Sequence, residues 1–472
     1  MKVNDVLLVD IVRLGDGGEG IAIVDNKVVF IPFAPINSTC KVAITRIAKK
    51  YANASLIEVL SSKTELLTPF CANFTKCGGC DLQYMTYNEQ LAFKRNKVAN
   101  LLYKFLHQKI KVLPTVPSDN TTKYRNKIQL QIGLNNGKVV VGFYNKLSHD
   151  IVPITNCDLY GDWVNKLIEI FLNWANSNKI TVYNEKSSMG LLRNLVARYV
   201  GGKLVVTIVI NGDKIKHIDS LKDSLIKNFD NCSLFISINK RKNSQILGDK
   251  LIKVYDNEKL VDVDGIKLEI SPYSFFQVND NVRVKLYNEV LKSINSKIVI
   301  DAYSGIGVLT TQIAGKAENV FGIEIVKEAV ENADVIVSNN KIYGQITNIL
   351  GDTAIILPKL VSSLKGEDKD DFENFITQNI LVPFNKDKYK NLSGDISIVL
   401  DPPRKGCDMS VLQAVLDSSA NHVIYVSCDP VTLSRDLVIL CNKYQITKVQ
   451  PFDLFPNTAH VETLAVLTLK KG

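Results

Sequence analysis

The sequence predicts an α/β protein. Its last third reads as a doubly wound parallel sheet, preceded by a small N-terminal β-barrel and a central β-rich α+β lobe. Three observations predict this. From Lys297 onward, strand-like and helix-like segments alternate, as in parallel strands joined by crossover helices. Residues 1 to about 60 instead alternate apolar and polar positions in short runs divided by turns. At 472 residues the chain exceeds one ordinary core, so several domains are expected, at 1–60, 61–285 and 286–472.

Composition narrows the class. Hydrophobic content of 46% with 22% charged residues describes a soluble globular chain. No apolar run is long enough to span a membrane, and Met1 to Leu14 carries acids without a signal-like apolar core, so a cytoplasmic protein is expected. The net charge of +9 is concentrated: Lys76 to Lys127 holds ten basic and three acidic residues. Such a patch suits a polyanion such as nucleic acid, although a solvated Lys-rich surface accounts for the charge equally well. Nine cysteines, an odd number without a secretion signal, argue against a disulfide framework and for metal, cluster or catalytic roles.

In order along the chain, Val6 to Val12, Gly20 to Val24, Lys27 to Ile31, Lys41 to Ile47 and Ser55 to Leu60 form five barrel strands. Small barrels of this kind often bind RNA or single strands. The segment resembles a TRAM domain, with Gly17-Gly18-Glu19-Gly20-Ile21 at its Gly-rich turn. Next, Cys71, Cys77 and Cys80 gather in ten residues, with Cys157 in a Pro-containing loop as the fourth soft ligand. Four thiolates fit zinc or an iron–sulfur cluster, and spacing leaves both open. From Tyr87 to Phe105 the spacing predicts a helix with Lys94, Arg95 and Lys97 along one side. Alternating strands follow at Ile128 to Ile132, Val139 to Tyr144, Leu195 to Tyr199 and Leu204 to Ile210. Arg125, Asn126 and Lys127 are candidates for phosphate contact beside the reading of a solvated strand edge. Ser271 to Asn279 packs Tyr273, Phe275 and Phe276 beside Gln277, which can hold a planar heterocycle or pack two lobes together. Lys365 to Lys390 reads as a surface insertion of mixed charge.

The last third carries the chemistry. Asp301-Ala302-Tyr303-Ser304-Gly305-Ile306-Gly307 follows the first strand, and its glycines let backbone approach a ligand. Thr310 stands where a dinucleotide fingerprint needs its third glycine, so the loop fits S-adenosylmethionine better than NAD. Glu324 ends the second strand, placed for ribose hydroxyls, and Asp352 ends the third, within reach of an adenine. These acids at successive strand ends match a class I, Rossmann-like methyltransferase. Asp401-Pro402-Pro403-Arg404 ends the fourth strand in a loop stiffened by prolines. Its lack of an aromatic at Arg404 argues against methylation of an exocyclic amine. His422 to Val426 reads as a buried strand leading to Cys428, with Asp429 as N-cap and Pro430 as first helical residue. The thiol would then sit on a helix N-terminus, where the dipole favours a thiolate. Finally His460 and Glu462 lie beside the same face.

Gln277, the Gly-rich loop, Asp401 to Arg404, Ser427-Cys428-Asp429-Pro430 and His460-Val461-Glu462 together resemble the RNA uracil-C5 methyltransferases, most closely the RumA-type 23S rRNA (uracil-5-)-methyltransferases. The likeness runs over nearly the whole chain. It implies S-adenosyl-L-methionine as cofactor, a [4Fe-4S] cluster on Cys71, Cys77, Cys80 and Cys157, and a monomer acting on a loop or single-stranded segment of 23S rRNA. It further implies Cys428 as nucleophile, Glu462 as base, and Gln277, Tyr303, Gly305, Glu324, Asp352 and Asp401 around the cofactor. Gln277 and Asp401 can equally hold the target base. Two positions depart from the family: Ser304 replaces its usual Cys, and Val308 stands where a polar cofactor contact is often found. The cluster, distant in sequence from the methyl chemistry, is expected to dock RNA or brace the fold. Rival readings are action on tRNA, an RNA cytosine-C5 methyltransferase, and an iron–sulfur RNA-binding factor without catalysis.

Overall fold

The strand Ser38–Ile47 sets the barrel. Its side chains alternate between the interior and solvent, and it pairs antiparallel with Val6–Asp10 on one side and Tyr51–Ser62 on the other. In this computed structural model, which describes residues 1–470 other than 147, 244, 368–376, 382–391 and 393, the expected strand Val6 to Val12 is broken. At Ile11 the chain leaves Ser38, and Val12 donates its N–H to the carbonyl of Ile21, 2.9 Å away. A short strand Arg13–Leu14 then pairs with Gly20–Val24. That switch of partners lets six strands curl around Val29, Ile31, Cys40, Val42 and Ile44. The insertion expected at Lys365 to Lys390 falls largely outside the described residues.

The central lobe is built on a mixed sheet of seven strands. In Lys127–Asn135, Ile128, Leu130 and Ile132 face a core shared with helices Trp163–Ser177 and Ile218–Asn228. Three strands escape the sequence pattern: Ile151–Pro153, Cys232–Ile238 and Lys250–Asp256. Cys232–Ile238 is buried at nearly every position, so it lacks the alternation of a half-exposed strand, and it pairs parallel with the wholly buried Lys203–Ile210.

The C-terminal sheet has the order Ile346–Leu350, Asn319–Glu324, Ile298–Ala302, Ile396–Leu400, His422–Ser427, Glu462–Leu469, Tyr444–Phe452. The first five are parallel. Glu462–Leu469 inserts antiparallel beside His422–Ser427. Both faces are apolar and covered, as a parallel sheet requires. Helix Asp280–Lys292, which leads into this sheet, spans the boundary expected at residue 285.

The lobes are fastened by helix Tyr87–Leu106, capped by a reciprocal Thr86–Glu89 box. The cations along it do not face solvent together. Lys94 is fully buried and its Nζ lies 2.5 Å from Asp453 Oδ1, also fully buried. Lys94 also donates to the Phe455 carbonyl, Lys97 to that of Ala459 and Arg95 Nε to that of Val112. Lys94, Arg95 and Lys97, expected along one side, are thus engaged within the protein: two bind the chain near residue 455 and the third its own connecting segment. Removing one member of a buried pair leaves the other uncompensated, at a cost of about 3–5 kcal/mol. Lys94→Met should therefore lower the melting temperature sharply, and adding Asp453→Leu should recover most of the loss. Circular dichroism melts check this; an unchanged single variant contradicts it.

Candidate active site

Strand direction gathers the site. The five parallel strands end on one edge of the sheet, and the antiparallel Glu462–Leu469 begins there. Ser427 is in register with Thr463, so Cys428 follows where Glu462 precedes. Asp429 caps helix Pro430–Leu440, its carboxylate accepting from Val431 N at 2.8 Å, as the sequence predicts. Asp401 leaves Ile396–Leu400 at the same edge.

Beside it lies the Gly-rich loop. Tyr303, Gly305 and Gly307 all adopt left-handed backbone. A Cβ at Gly305 would meet nothing, because that position opens on a pocket, whereas one at Gly307 would press on Ala333. Gly305 N donates to Glu324 Oε2 at 3.0 Å, and Val326 N to Glu324 Oε1 at 2.8 Å, fixing that carboxylate at the loop. Asp301, Tyr303, Gly305 and Asp401 line one narrow pocket with Phe275 and Tyr287. Val308 lines it too and is buried, with no polar atom to offer there. Asp352 is exposed and caps helix Thr353–Leu364 through Ala354 N. Gln277 is buried on the neighbouring loop, its carbonyl held by Asn126 Nδ2 at 2.9 Å. Thus Tyr303, Gly305 and Asp401 share the pocket, Glu324 is tied to it, and Gln277 and Asp352 flank it. Tyr287 was missed. On an amphipathic helix it looks like any core aromatic.

Burial sets the charges. Asp301, accepting from Thr310 Oγ1 at 2.6 Å, is raised to about 7 by burial, with Glu324 adding to the rise. Asp401 is raised by burial and then by Asp301. Glu462 is fully buried, and its carboxyl is held well above the usual range by burial and then by Asp401, with Arg404 opposing; its Oε1 has no partner. Cys428 is pushed up to about 12, first by burial, then by Glu462 and Asp401, with Arg404 pulling the other way. The expected dipole-favoured thiolate is therefore corrected: desolvation and two carboxyls outweigh the helix end.

Cys71, Cys77, Cys80 and Cys157 line a single cavity of about 230 Å³, ringed further by Phe74, Phe143 and Tyr160. Burial raises the thiols of Cys77, Cys80 and Cys157. Among the described residues no three ligating side chains converge as around one metal ion. The cavity is not remote from the catalytic edge. Arg404, Phe455, Thr458 and His460 form its far wall. His460 is exposed, with its ring edge on Phe455.

The segment Asp453 to Val461 that delivers Glu462 is gripped throughout. Gln90 donates to Asn457 Oδ1 and accepts from Asn457 N, while Tyr124 OH donates to the Pro456 carbonyl. Asp81 accepts from Ala459 N, and Gly18 of the barrel turn lies against Leu82 and Ala459. All three lobes therefore meet at this loop.

One consequence of the charges is measurable. Ionised Glu462 raises the Cys428 thiol, so Glu462→Gln should lower it and increase the thiolate fraction at any pH where Glu462 would be ionised. Alkylation of the Cys428 peptide by iodoacetamide, followed by mass spectrometry at pH ~9, should run severalfold faster in the variant. An equal rate would mean that the two groups do not sense each other.

Comparison with known proteins agrees with this geometry. The tRNA (uracil-5-)-methyltransferase family matches residues 86–471, and the TRAM domain matches residues 1–57. An uncharacterized RNA methyltransferase of Clostridium tetani is 34% identical over 99% of this chain and 97% of its own length. One from Staphylococcus epidermidis is 32% identical over 100% of this chain and 99% of its own. The crystal structure of Pyrococcus abyssi tRNA (uracil-54, C5)-methyltransferase in complex with S-adenosyl-L-homocysteine superposes with a TM-score of 0.73 at 25% identity, over 98% of this chain and 99% of that one. A sheet that delivers Asp301, Asp401, Cys428 and Glu462 to one edge, behind a TRAM barrel, places this chain in the tRNA (uracil-5-)-methyltransferase family of RNA methyltransferases.

Proposed function

We propose that the protein methylates C5 of a uridine in 23S rRNA, using S-adenosyl-L-methionine. The observation that carries this reading is the register that sets Cys428 beside Glu462, both next to the Asp401 pocket. Uracil C5 is a weak nucleophile. Once its proton has passed to solvent, the Cys428 Sγ thiolate adds to C6, and the electron pair passes through C5 to O4 as an enolate. C5 then takes the methyl group from the sulfonium, whose carbon–sulfur bond breaks to give the neutral thioether. Glu462 removes the C5 proton, the C5–C6 double bond reforms, and the sulfur leaves as thiolate. A Glu462 held high is a stronger base than an exposed carboxylate once ionised, which suits this step. Tyr303, Gly305, Glu324 and Asp401 would hold the cofactor, with Asp352 at its adenine end. Gln277 and Asp401 stand where cofactor and target base meet. The target must leave any stack to be attacked from its face, so the barrel and central lobe would grip a loop or single strand.

Residues 1–60, 61–285 and 286–472 are read as RNA-binding barrel, RNA-binding central unit and methyltransferase unit. The cysteine cavity belongs to this reading. Its donor set is four thiols around one cavity, which fits either zinc or a [4Fe-4S] cluster, and the resemblance to the RumA-type enzymes favours the cluster. Cys71, Cys77, Cys80 and Cys157 would hold it, and it would supply a rigid core where the central lobe meets Arg404 and His460. Absorbance of anaerobically purified protein distinguishes iron from zinc.

A second reading, action on tRNA, is favoured by the full-length likeness to the Pyrococcus abyssi enzyme. Mapping of 5-methyluridine in a deletion strain separates the two: loss from 23S rRNA supports the first, loss from tRNA the second, and loss of 5-methylcytidine neither. Cys428→Ala should bind RNA yet transfer no methyl group. Glu462→Gln should add, methylate and then stall, accumulating a denaturation-stable protein–RNA adduct. Free turnover by Glu462→Gln would remove Glu462 from the role of base.

A further inference from the structure

On one face of the central sheet, Ile128, Leu130 and Ile132 enter the core; on the other, Lys127, Gln129 and Gln131 stand half-buried. Lys127 is the register partner of Arg198 across antiparallel strands, so the two side chains share that face. Arg198 is 4% exposed, and Nη1 donates to the Phe276 carbonyl at 3.2 Å. Among the described residues its Nη2 is buried without a partner, as is Arg125 Nε. Neither arginine nor Lys127 forms an ion pair among the described residues. The carboxylate nearest Arg198, Asp280, is already engaged by Asn126 and Arg283. A buried guanidinium without a carboxylate is costly, and surface cations are normally either solvated or paired. Burial, followed by Arg198 and Arg125, draws the Lys127 ammonium down to about 8, the mark of uncompensated positive potential.

We propose that Lys127, backed by the buried charge of Arg198, is a binding site for a phosphate of the substrate RNA backbone. The site lies next to the loop that carries Phe275 and Gln277, since Asn126 holds the Gln277 carbonyl and Arg198 that of Phe276. A phosphodiester there would be the one beside the target nucleotide, and Gln129 and Gln131 extend the same face with amide donors. Asn126, adjacent in sequence, takes no part because its amide is spent on Gln277 and Asp280. This inference rests on RNA being the substrate, and its test needs no methyl transfer.

Binding of a short oligouridylate to the full-length protein, measured across a potassium chloride series, reads out phosphate contacts directly. Lys127→Gln should bind more weakly at low salt, with a log–log salt slope shallower by about 0.7. Lys127→Arg should keep both affinity and slope. In the unaltered protein, the same RNA should shield Lys127 from acylation by an N-hydroxysuccinimide ester, read by peptide mass spectrometry, so the site is testable even if a variant folds poorly. An unchanged slope in Lys127→Gln, or unshielded Lys127, overturns the proposal. Wild-type binding with the expected slope but no 5-methyluridine formation would instead count against the proposed reaction.

Discussion

The buried ion pair between Lys94 and Asp453 is the contact on which the site's geometry depends. It joins a helix of the central lobe to the loop that enters strand Glu462–Leu469. Asp453 also accepts from Phe455 N, and Lys94 also donates to the Phe455 carbonyl, so the pair fixes backbone as well as charge. Desolvation lowers the Lys94 ammonium, and Asp453 is the main group opposing that fall. Neither charge is tolerable without the other, which confers specificity of docking more than raw stability. Gln90, Lys97 and Tyr124 then complete a grip on the segment that leads into Glu462.

This arrangement explains what the sequence made legible and what it hid. The strand end and helix cap around Cys428 could be read because they are local: Asp429 and Pro430 sit within two residues of Cys428 and have few other uses. The Gly-rich loop was legible for the same reason. Lys94 was not. On its own helix it resembles any cation in a basic stretch, and its partner lies 359 residues away. The thiol's state was misjudged likewise, since the helix end is visible in sequence whereas the burial of Glu462 and Asp401 is not. The strand Cys232–Ile238 was hidden by near-uniform burial, which erases the alternation that marks a half-exposed element, and Tyr287 by its likeness to any aromatic on an amphipathic helix.

The cysteine cavity and the catalytic edge also prove to be one region. They are separated by hundreds of residues in sequence, yet Arg404 lies close enough to oppose the rise of Cys428 and also walls the cavity. His460, two residues before Glu462, also walls the cavity. The packing around the cavity therefore bears on the segment that leads into Glu462.

The distance between Lys94 and Asp453 along the chain has a consequence for how the protein is made. At ~5–20 residues per second, a ribosome needs roughly 20 to 70 s to travel from one to the other. During that interval the helix Tyr87–Leu106 has no catalytic loop to dock on, and its apolar side stays uncovered. The barrel and central sheet can mature on their own cores, but the lysine waits in water until the last strands emerge. Closure of the three lobes is thus a late event, after nearly all of the chain has been synthesised. A nascent chain halted before residue 453 would hold every cysteine of the cavity and yet lack Phe455, Thr458 and His460 of its far wall.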